Sequence, residues 1–253
     1  MQRKLGVATY QELVTDIWSE MDAFKLEFPG NKTQISACTQ FKNDVAQLLY
    51  YSEPEKQHRV KDEVIAESIL LADQCPESPE FIKPALTAVQ QRLDRSLSRG
   101  EYEDAIHHMS RADELFDKYL RKNFDTLWVK VYYLDMKTSH ASCLLRAKQF
   151  ERLENVCTDC LPICEELSKL SEFRVMCATC SLKIHTMRLL CSDSANEDRR
   201  RADRIKQILF ALENPETPTS ALSTYATWIQ AIKVPEEVSA TLEKQLAVRS
   251  GAK

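Results

Sequence analysis

Two cysteine pairs have the residue type and the spacing of a structural zinc site. Cys157 and Cys160 form one Cys-x-x-Cys pair, and Cys177 and Cys180 form a second pair after sixteen intervening residues. Four thiolates at such a spacing can hold a zinc ion. Both pairs, however, lie within apolar stripes of helical period, whereas zinc ribbons place their cysteines on tight turns that usually contain glycine. We therefore favour thiols packed between helices, where free cysteine behaves as a small hydrophobe, and we predict no cofactor.

A site carried by two helices is the alternative for these cysteines. If the helices form an antiparallel hairpin that turns near residue 170, Cys164 comes level with Cys177, and Cys160 comes level with Cys180. A zinc-stabilised or thiol-regulated helical domain then becomes possible. Its candidate metal ligands are Cys157, Cys160, Cys164, Cys177 and Cys180.

The other motifs that carry chemistry are missing from this sequence. It contains no glycine-rich phosphate loop, no Gly-x-Ser-x-Gly elbow and no His-Glu-x-x-His zinc signature. The five histidines form no motif, and paired acids such as Glu165 and Glu166 are typical of a charged helix face. We therefore predict a protein that is not an enzyme.

A dense basic cluster opens a predicted helix near residue 199. A helix N-terminus favours anions, so this cluster could bind an acidic partner surface. Acidic neighbours at 197, 198 and 203 dilute its charge, and a solvated helix face is the competing interpretation. The candidate partner-binding residues are Arg199, Arg200, Arg201, Arg204 and Lys206.

The composition restricts both the fold class and the partners. Four glycines among 253 residues argue against sandwiches, barrels and nucleotide-binding α/β folds, whose turns need glycine. A net charge of −4 gives no general attraction to nucleic acid or to a membrane surface. We find no signal peptide and no membrane span, and we interpret the nine cysteines as reduced thiols. The expected location is the cytoplasm or the nucleus.

The arrangement around Gly100 predicts how the helices are organised. Gly100 ends one apolar stripe, Tyr102 opens the next, and Ala105 is small enough for two helices to approach closely. This order is typical of a tetratricopeptide (TPR) hairpin, and the segment 148–153 is a weaker second copy. The predicted fold is all-α: a TPR-like, right-handed superhelical array of antiparallel helix hairpins, which is an α-solenoid.

About ten helices are predicted, with proline and glycine at their ends. We expect a capping box at Thr9 and Glu12, a helix end near Pro29, and a kink at Pro162. A loop is expected at 192–198, and two short helices after Pro218 and Pro235. The whole chain, 1–253, is predicted to be one helical-repeat domain with possible sub-units 1–99, 100–231 and 232–253.

Four stretches in a shared order resemble the second subunit of the COP-nine signalosome, a repeat-bearing relative of proteasome lid subunits with a PCI module. Asp125–Lys130 resembles that family's Asp-x-Leu-Trp-x-Lys helix start. Leu145–Leu153 is similar to the following helix turn. Cys180–Met187 is similar to the next apolar helix. The last stretch, Arg200–Ala211 with Asn214–Pro218, resembles a basic helix and a proline turn.

The resemblance implies a non-catalytic scaffold in the ubiquitin pathway. In that family the repeats grip a cullin ligase while a sister subunit removes the ubiquitin-like modifier, so the implied partners are sibling subunits and a cullin-type ligase. Family members continue into a PCI module with a winged helix, which this sequence does not show. This chain could therefore be a fragment, a shortened homologue or another repeat protein. A free-standing TPR-like adaptor for a peptide or helix is the alternative function.

Overall fold

The computed structural model describes the backbone of residues 2–47, 54–191 and 198–251, and the side chains of 14–47, 55–191 and 200–251. This part of the chain is helical and contains no strand, which confirms the predicted all-α class. Three short 3-10 helices, Pro79–Ile82, Arg121–Asn123 and Ser171–Phe173, join some of the α-helices. The α-helices are α1 (Gln2–Glu27), α2 (Lys32–Gln47), α3 (Pro54–Gln74), α4 (Lys83–Arg99), α5 (Tyr102–Tyr119), α6 (Leu127–Arg146), α7 (Phe150–Ser168), α8 (Arg174–Leu190), α9 (Asp198–Glu213), α10 (Thr219–Ile229) and α11 (Glu236–Arg249).

Proline and glycine mark several helix boundaries as predicted. α1 ends two residues before Pro29, and α4 ends immediately before Gly100, whose φ of +74° is the left-handed conformation that favours glycine. Pro218 and Pro235 directly precede α10 and α11. α7 runs through Pro162 without ending there.

The predicted N-terminus of the first helix was wrong. α1 begins at Gln2, so Thr9 lies inside the helix and cannot be its N-cap. A capping-box pattern inside a longer helix does not mark the N-terminus of that helix, because the backbone hydrogen bonds of the helix continue through it. The predicted loop at 192–198 lies largely outside the described residues.

The chain divides into two compact units. The first comprises Met1–Ser98 with His107–Asn123, and the second comprises Arg99–Ile106 with Phe124–Lys253. These boundaries differ from those of the predicted sub-units 1–99, 100–231 and 232–253. No helix in the described ranges combines the length and the apolar composition that crossing a membrane requires.

The first unit has a hydrophobic core built by α1 to α4. Its buried members include Trp18 of α1, Val45 of α2, Val64 of α3 and Ala88 of α4. Burial of such apolar side chains contributes roughly 25 cal/mol per Å², and this is the main force that holds these helices together.

In the second unit α8 is the central helix. It packs against α6 and α7, which precede it in the chain, and against α9 and α10, which follow it. α9 also packs against α11. The core between α8 and α11 buries Leu189, Leu212, Tyr225 and Leu242. From α6 to α9 each helix thus contacts the next one, α10 contacts α11, and three pairs, α6 with α8, α8 with α10, and α9 with α11, contact across one intervening helix.

Candidate docking surface on α7, α8 and α9

The α7–α8 pair is an antiparallel hairpin, as the sequence predicted. The thiol of Cys164 is close enough to interact electrostatically with Cys177, and Cys160 is similarly close to Cys180. Farther from the turn, Glu154 Oε1 lies 2.6 Å from an Arg188 guanidinium nitrogen. Contacting residues thus become more distant in sequence away from the turn. The 3-10 helix Ser171–Phe173 forms that turn.

The five cysteines of the alternative metal site are buried free thiols. Burial raises the pKa of the Cys160 thiol to about 12 and that of Cys177 to about 11. Both groups are therefore protonated at neutral pH, whereas the thiolate is the metal ligand and the nucleophile. Among the described residues, no three His, Cys, Asp or Glu side chains are grouped so as to hold a metal ion. We interpret these thiols as packing groups between α7 and α8.

The predicted basic cluster lies at the start of α9, but its members have different environments. The side chains of Arg200, Arg201 and Lys206 are exposed, and Lys206 Nζ lies 3.9 Å from Asp203. The side chain of Arg199 lies outside the described residues. Arg204 keeps only 16% of its side-chain exposure. Arg204 is thus much less exposed than the other described members of the cluster, and its role in partner binding stays a prediction.

Arg204 joins α9 to both helices of the hairpin. Its Nη1 donates a hydrogen bond to the backbone carbonyl of Arg188 on α8. Its Nη2 lies 3.4 Å from both carboxylate oxygens of Glu154 on α7. Arg188 Nε also donates to Glu154 Oε1, over 3.0 Å. Two guanidiniums thus share one partly buried carboxylate, an arrangement that fixes the geometry of three helices.

A cleft of about 310 Å³ lies beside this ion-pair network. Exposed Arg200 and Asp203 of α9 form its outer wall. Three arginines and two carboxylates line it in all, so its lining carries a net positive charge. We call it the arginine cleft; its residues are Glu154, Arg188, Arg200, Asp203, Arg204 and Gln207.

A larger groove of about 600 Å³ adjoins the arginine cleft, because Gln207 lines both. α7, α8, α9 and the turn before α10 form its walls. The phenyl ring of Phe210 stands at this groove with 74% of its surface exposed. A large aromatic side chain in water costs free energy that a partner could recover by covering it. We call this feature the Phe210 groove.

His185 gives the Phe210 groove an uncharged polar group at neutral pH. Burial lowers the pKa of His185 below its ordinary 6.5, and the positive charge of Arg188 lowers it further. A hydrogen bond with Gln207 acts in the opposite direction. The imidazole is therefore neutral where the groove meets the arginine cleft, and the cationic groups there are the arginines.

Sequence reasoning missed Phe210 and Glu154. Phe210 lies off the apolar stripe of Ile205, Ile208 and Leu212. A large apolar residue outside such a stripe is exposed and indicates a binding surface. Glu154 had no comparable signal, because its contact with Arg204 joins residues 50 positions apart.

Comparisons of this chain with family models, with curated proteins and with solved structures give no match.

Proposed function

We propose that this protein is a non-catalytic helical-repeat scaffold that binds a partner protein through α7, α8 and α9. The observation that carries the proposal is that the arginine cleft and the Phe210 groove adjoin each other along α9. The arginine cleft offers cationic groups, the Phe210 groove offers an exposed aromatic ring, and Gln207 connects them. Interfaces commonly combine arginine and aromatic anchors in this way.

The chemistry of this surface specifies the occupant. Exposed Arg200 attracts carboxylates, and Phe210 attracts an apolar side chain. Arg201, nine residues before Phe210, lies on the opposite side of α9 and does not line the arginine cleft. Arg200 and Phe210 are separated by about 15 Å along α9, given a rise of 1.5 Å per residue. A partner segment that reaches both would place an acidic residue and an apolar residue four or five positions apart if extended, at about 3.3 Å per residue.

The superhelical arrangement and the complex are parts of the same proposal. Contacts of α8 with α6 and α10, as well as with α7 and α9, support a stack of TPR-like hairpins with a right-handed superhelical path. The signalosome resemblance supplies the partner class, which is a cullin-type ligase together with sibling subunits, in the cytoplasm or nucleus. Its fourth stretch, Arg200–Ala211, contributes to both the arginine cleft and the Phe210 groove.

Affinity purification of surface variants from the protein's own cells tests this proposal. The test variants are Phe210→Ser and Arg200→Glu. Val248→Ser is the matched control, since Val248 is an apolar side chain of the same unit with 68% exposure. We expect a cullin and sibling subunits with wild type and control, and their loss with both test variants. Equal recovery by all four proteins would refute docking on this surface.

A free-standing adaptor is the second candidate function. It is favoured by the size of the Phe210 groove, since about 600 Å³ is within the range of sites that bury a short ligand segment. The same purification distinguishes the two candidates. One unrelated client, lost with Phe210→Ser and retained with Val248→Ser, would support the adaptor and exclude the signalosome-type scaffold.

A further inference from the structure

The adjacent carboxylates Glu165 and Glu166 near the end of α7 have different environments. Glu166 Oε1 lies 2.6 Å from the ammonium nitrogen of Lys130 on α6, so its charge is compensated. Glu165 instead lines the Phe210 groove. It is exposed, and within the described part of the chain its carboxylate forms no ion pair. Glu165 is therefore an available anion in a groove that also presents an aromatic ring.

The charged residues that line the Phe210 groove leave one negative charge in excess. They are Glu165, Arg174 and Glu216. Arg174 at the start of α8 lies 3.2 Å from Glu216 in the turn before α10, so these two charges compensate each other. The imidazole of His185 adds no charge at neutral pH, because burial keeps its pKa below the ordinary 6.5. The charge of Glu165 remains.

The helices that form the walls of this surface can be aligned from their contacts. On α9, Arg204 donates a hydrogen bond to the carbonyl of Arg188 on α8. One turn later on α9, Gln207 forms a hydrogen bond with His185, which is one turn earlier on α8. α8 and α9 are therefore antiparallel. Since α7 is also antiparallel to α8, α7 and α9 run in the same direction away from the arginine cleft.

The surface therefore presents three binding groups in a fixed order. The first is the net positive lining of the arginine cleft, where Glu154 and Arg204 meet. Phe210 lies six residues after Arg204, and Glu165 lies eleven residues after Glu154. At a rise of 1.5 Å per residue, Glu165 is about 7–8 Å farther from the arginine cleft than Phe210 is. An extended segment covers this distance with about two or three residues.

We propose that Glu165 binds a basic side chain of the partner and thereby determines the direction in which the partner segment docks. This inference rests on the proposed function of the arginine cleft and the Phe210 groove. The occupant is a linear segment of a partner protein. It places an acidic residue at the arginine cleft, an apolar residue at Phe210, and a lysine or arginine about two or three positions farther on. A segment with the reverse order of charges meets like charge at both ends, which is unfavourable.

Selection of peptides on immobilised protein tests this order. The probe is a phage-displayed library of random linear peptides. With wild type, we expect enrichment of peptides that carry an acidic residue, then a large apolar residue, then a basic residue at the spacing above. Glu165→Gln should remove the preference for the basic residue, and Glu165→Lys should replace it with a preference for an acidic one. The preferences at the first two positions should not change.

Glu166→Gln is the matched control for these variants. Glu166 is the neighbouring carboxylate on the same helix, but it pairs with Lys130 and does not line the Phe210 groove. It should select the same peptides as wild type. Loss of the basic preference in Glu166→Gln as well as in Glu165→Gln would contradict a specific contact with Glu165.

Calorimetry with the most enriched peptide measures the strength of the contact. Glu165→Gln should weaken its binding about two- to fivefold, as is usual for an exposed ion pair. Replacement of the basic residue of the peptide by alanine should weaken binding to wild type by a similar factor. The same replacement should not change binding to Glu165→Gln, because the ion pair is already absent. Additive effects of the two changes would overturn the proposal.

The Phe210→Ser variant separates this inference from the proposed function. Enrichment of no peptide, or peptides that bind Phe210→Ser as well as they bind wild type, would refute the docking surface and this inference with it. Peptides that require Phe210 but keep their basic residue when selected on Glu165→Gln would refute the role of Glu165 alone.

Discussion

Neighbouring arginines of α9 have different physical roles despite their adjacency in the sequence. Arg200 and Arg201 extend into solvent, whereas Arg204 connects Glu154 of α7 with the carbonyl of Arg188 on α8. The basic run could be identified from the sequence as a cluster at a helix start. Its division into surface and structural members could not, because that depends on which side of α9 meets the hairpin.

Removal of Arg204 should reduce stability. Arg204→Ala leaves the Arg188 carbonyl and the Glu154 carboxylate with fewer partners, so we expect a loss of about 1–2 kcal/mol in the free energy of unfolding. Arg201→Ala should change it by less than about 0.5 kcal/mol, as is usual for surface substitutions. Urea denaturation followed by circular dichroism measures both. Equal effects of the two substitutions would contradict the structural role of Arg204.

His185 should make the protein less stable in mild acid. Its pKa in the folded protein is below the ordinary 6.5, so the unfolded chain binds a proton that the folded chain resists. The free energy of unfolding should therefore fall as the pH decreases from 7.5 to 5.5, by up to about 1 kcal/mol from this residue. His185→Gln should show a smaller fall over the same range. An unchanged pH profile in the variant would remove His185 as the cause.

At the scale of helices, the turn between α6 and α7 contains an unusual residue. Lys148 adopts a φ of 56°, in the left-handed region. The N–H of Gln149 donates to the Leu144 carbonyl over 2.9 Å, and the N–H of Lys148 donates to the Leu145 carbonyl over 3.1 Å. These bonds form a Schellman motif, whose left-handed position glycine occupies with least strain.

Substitutions at the two left-handed positions, Lys148 and Gly100, should therefore change the stability of the protein in opposite directions. Lys148→Gly should stabilise the protein by up to about 1 kcal/mol, because glycine relieves the left-handed strain. Gly100→Ala should destabilise it by roughly 1 kcal/mol through backbone strain alone. No heavy atom lies within 4 Å of a Cβ added at Gly100, so a clash cannot explain a loss. Melting temperatures measure both changes, and a more stable Gly100→Ala protein would contradict this account.

The α7–α8 hairpin should keep its structure without metal. Its thiols are buried and protonated, so we expect a strong chelator such as EDTA to leave helicity and melting temperature unchanged. Metal analysis of protein purified without added zinc is the accompanying measurement. Stoichiometric zinc, together with a loss of helicity on chelation, would restore the alternative zinc-stabilised domain.

Helix boundaries were predictable where the chain itself determines them. Gly100, Pro218 and Pro235 restrict the backbone locally, and the structure places helix ends beside them. The start of α1 was not predictable from Thr9, because a capping residue marks the start of a helix only if the residues before it are not helical. The ion-pair network and the Phe210 groove depend on contacts between α7, α8 and α9 that local sequence does not specify.

For the molecule as a whole, we propose a stack of helices that presents binding groups on one surface of its second unit. Such a scaffold needs packed helices for rigidity and exposed side chains for recognition. α8 contacts four other helices, whereas Phe210 and Arg201 remain in solvent. We expect partner affinity and protein stability to respond to different substitutions.

The most direct test of the docking proposal is the dissociation constant of the purified partner segment, measured by calorimetry at two salt concentrations. We predict that Phe210→Ser weakens binding at least about tenfold, which corresponds to roughly 1.4 kcal/mol. Arg200→Glu should weaken it and reduce its salt dependence, because exposed charge pairs are screened by salt. Val248→Ser should bind as the wild type does. Unchanged affinity in both test variants, with their folds intact, would contradict docking on α7, α8 and α9.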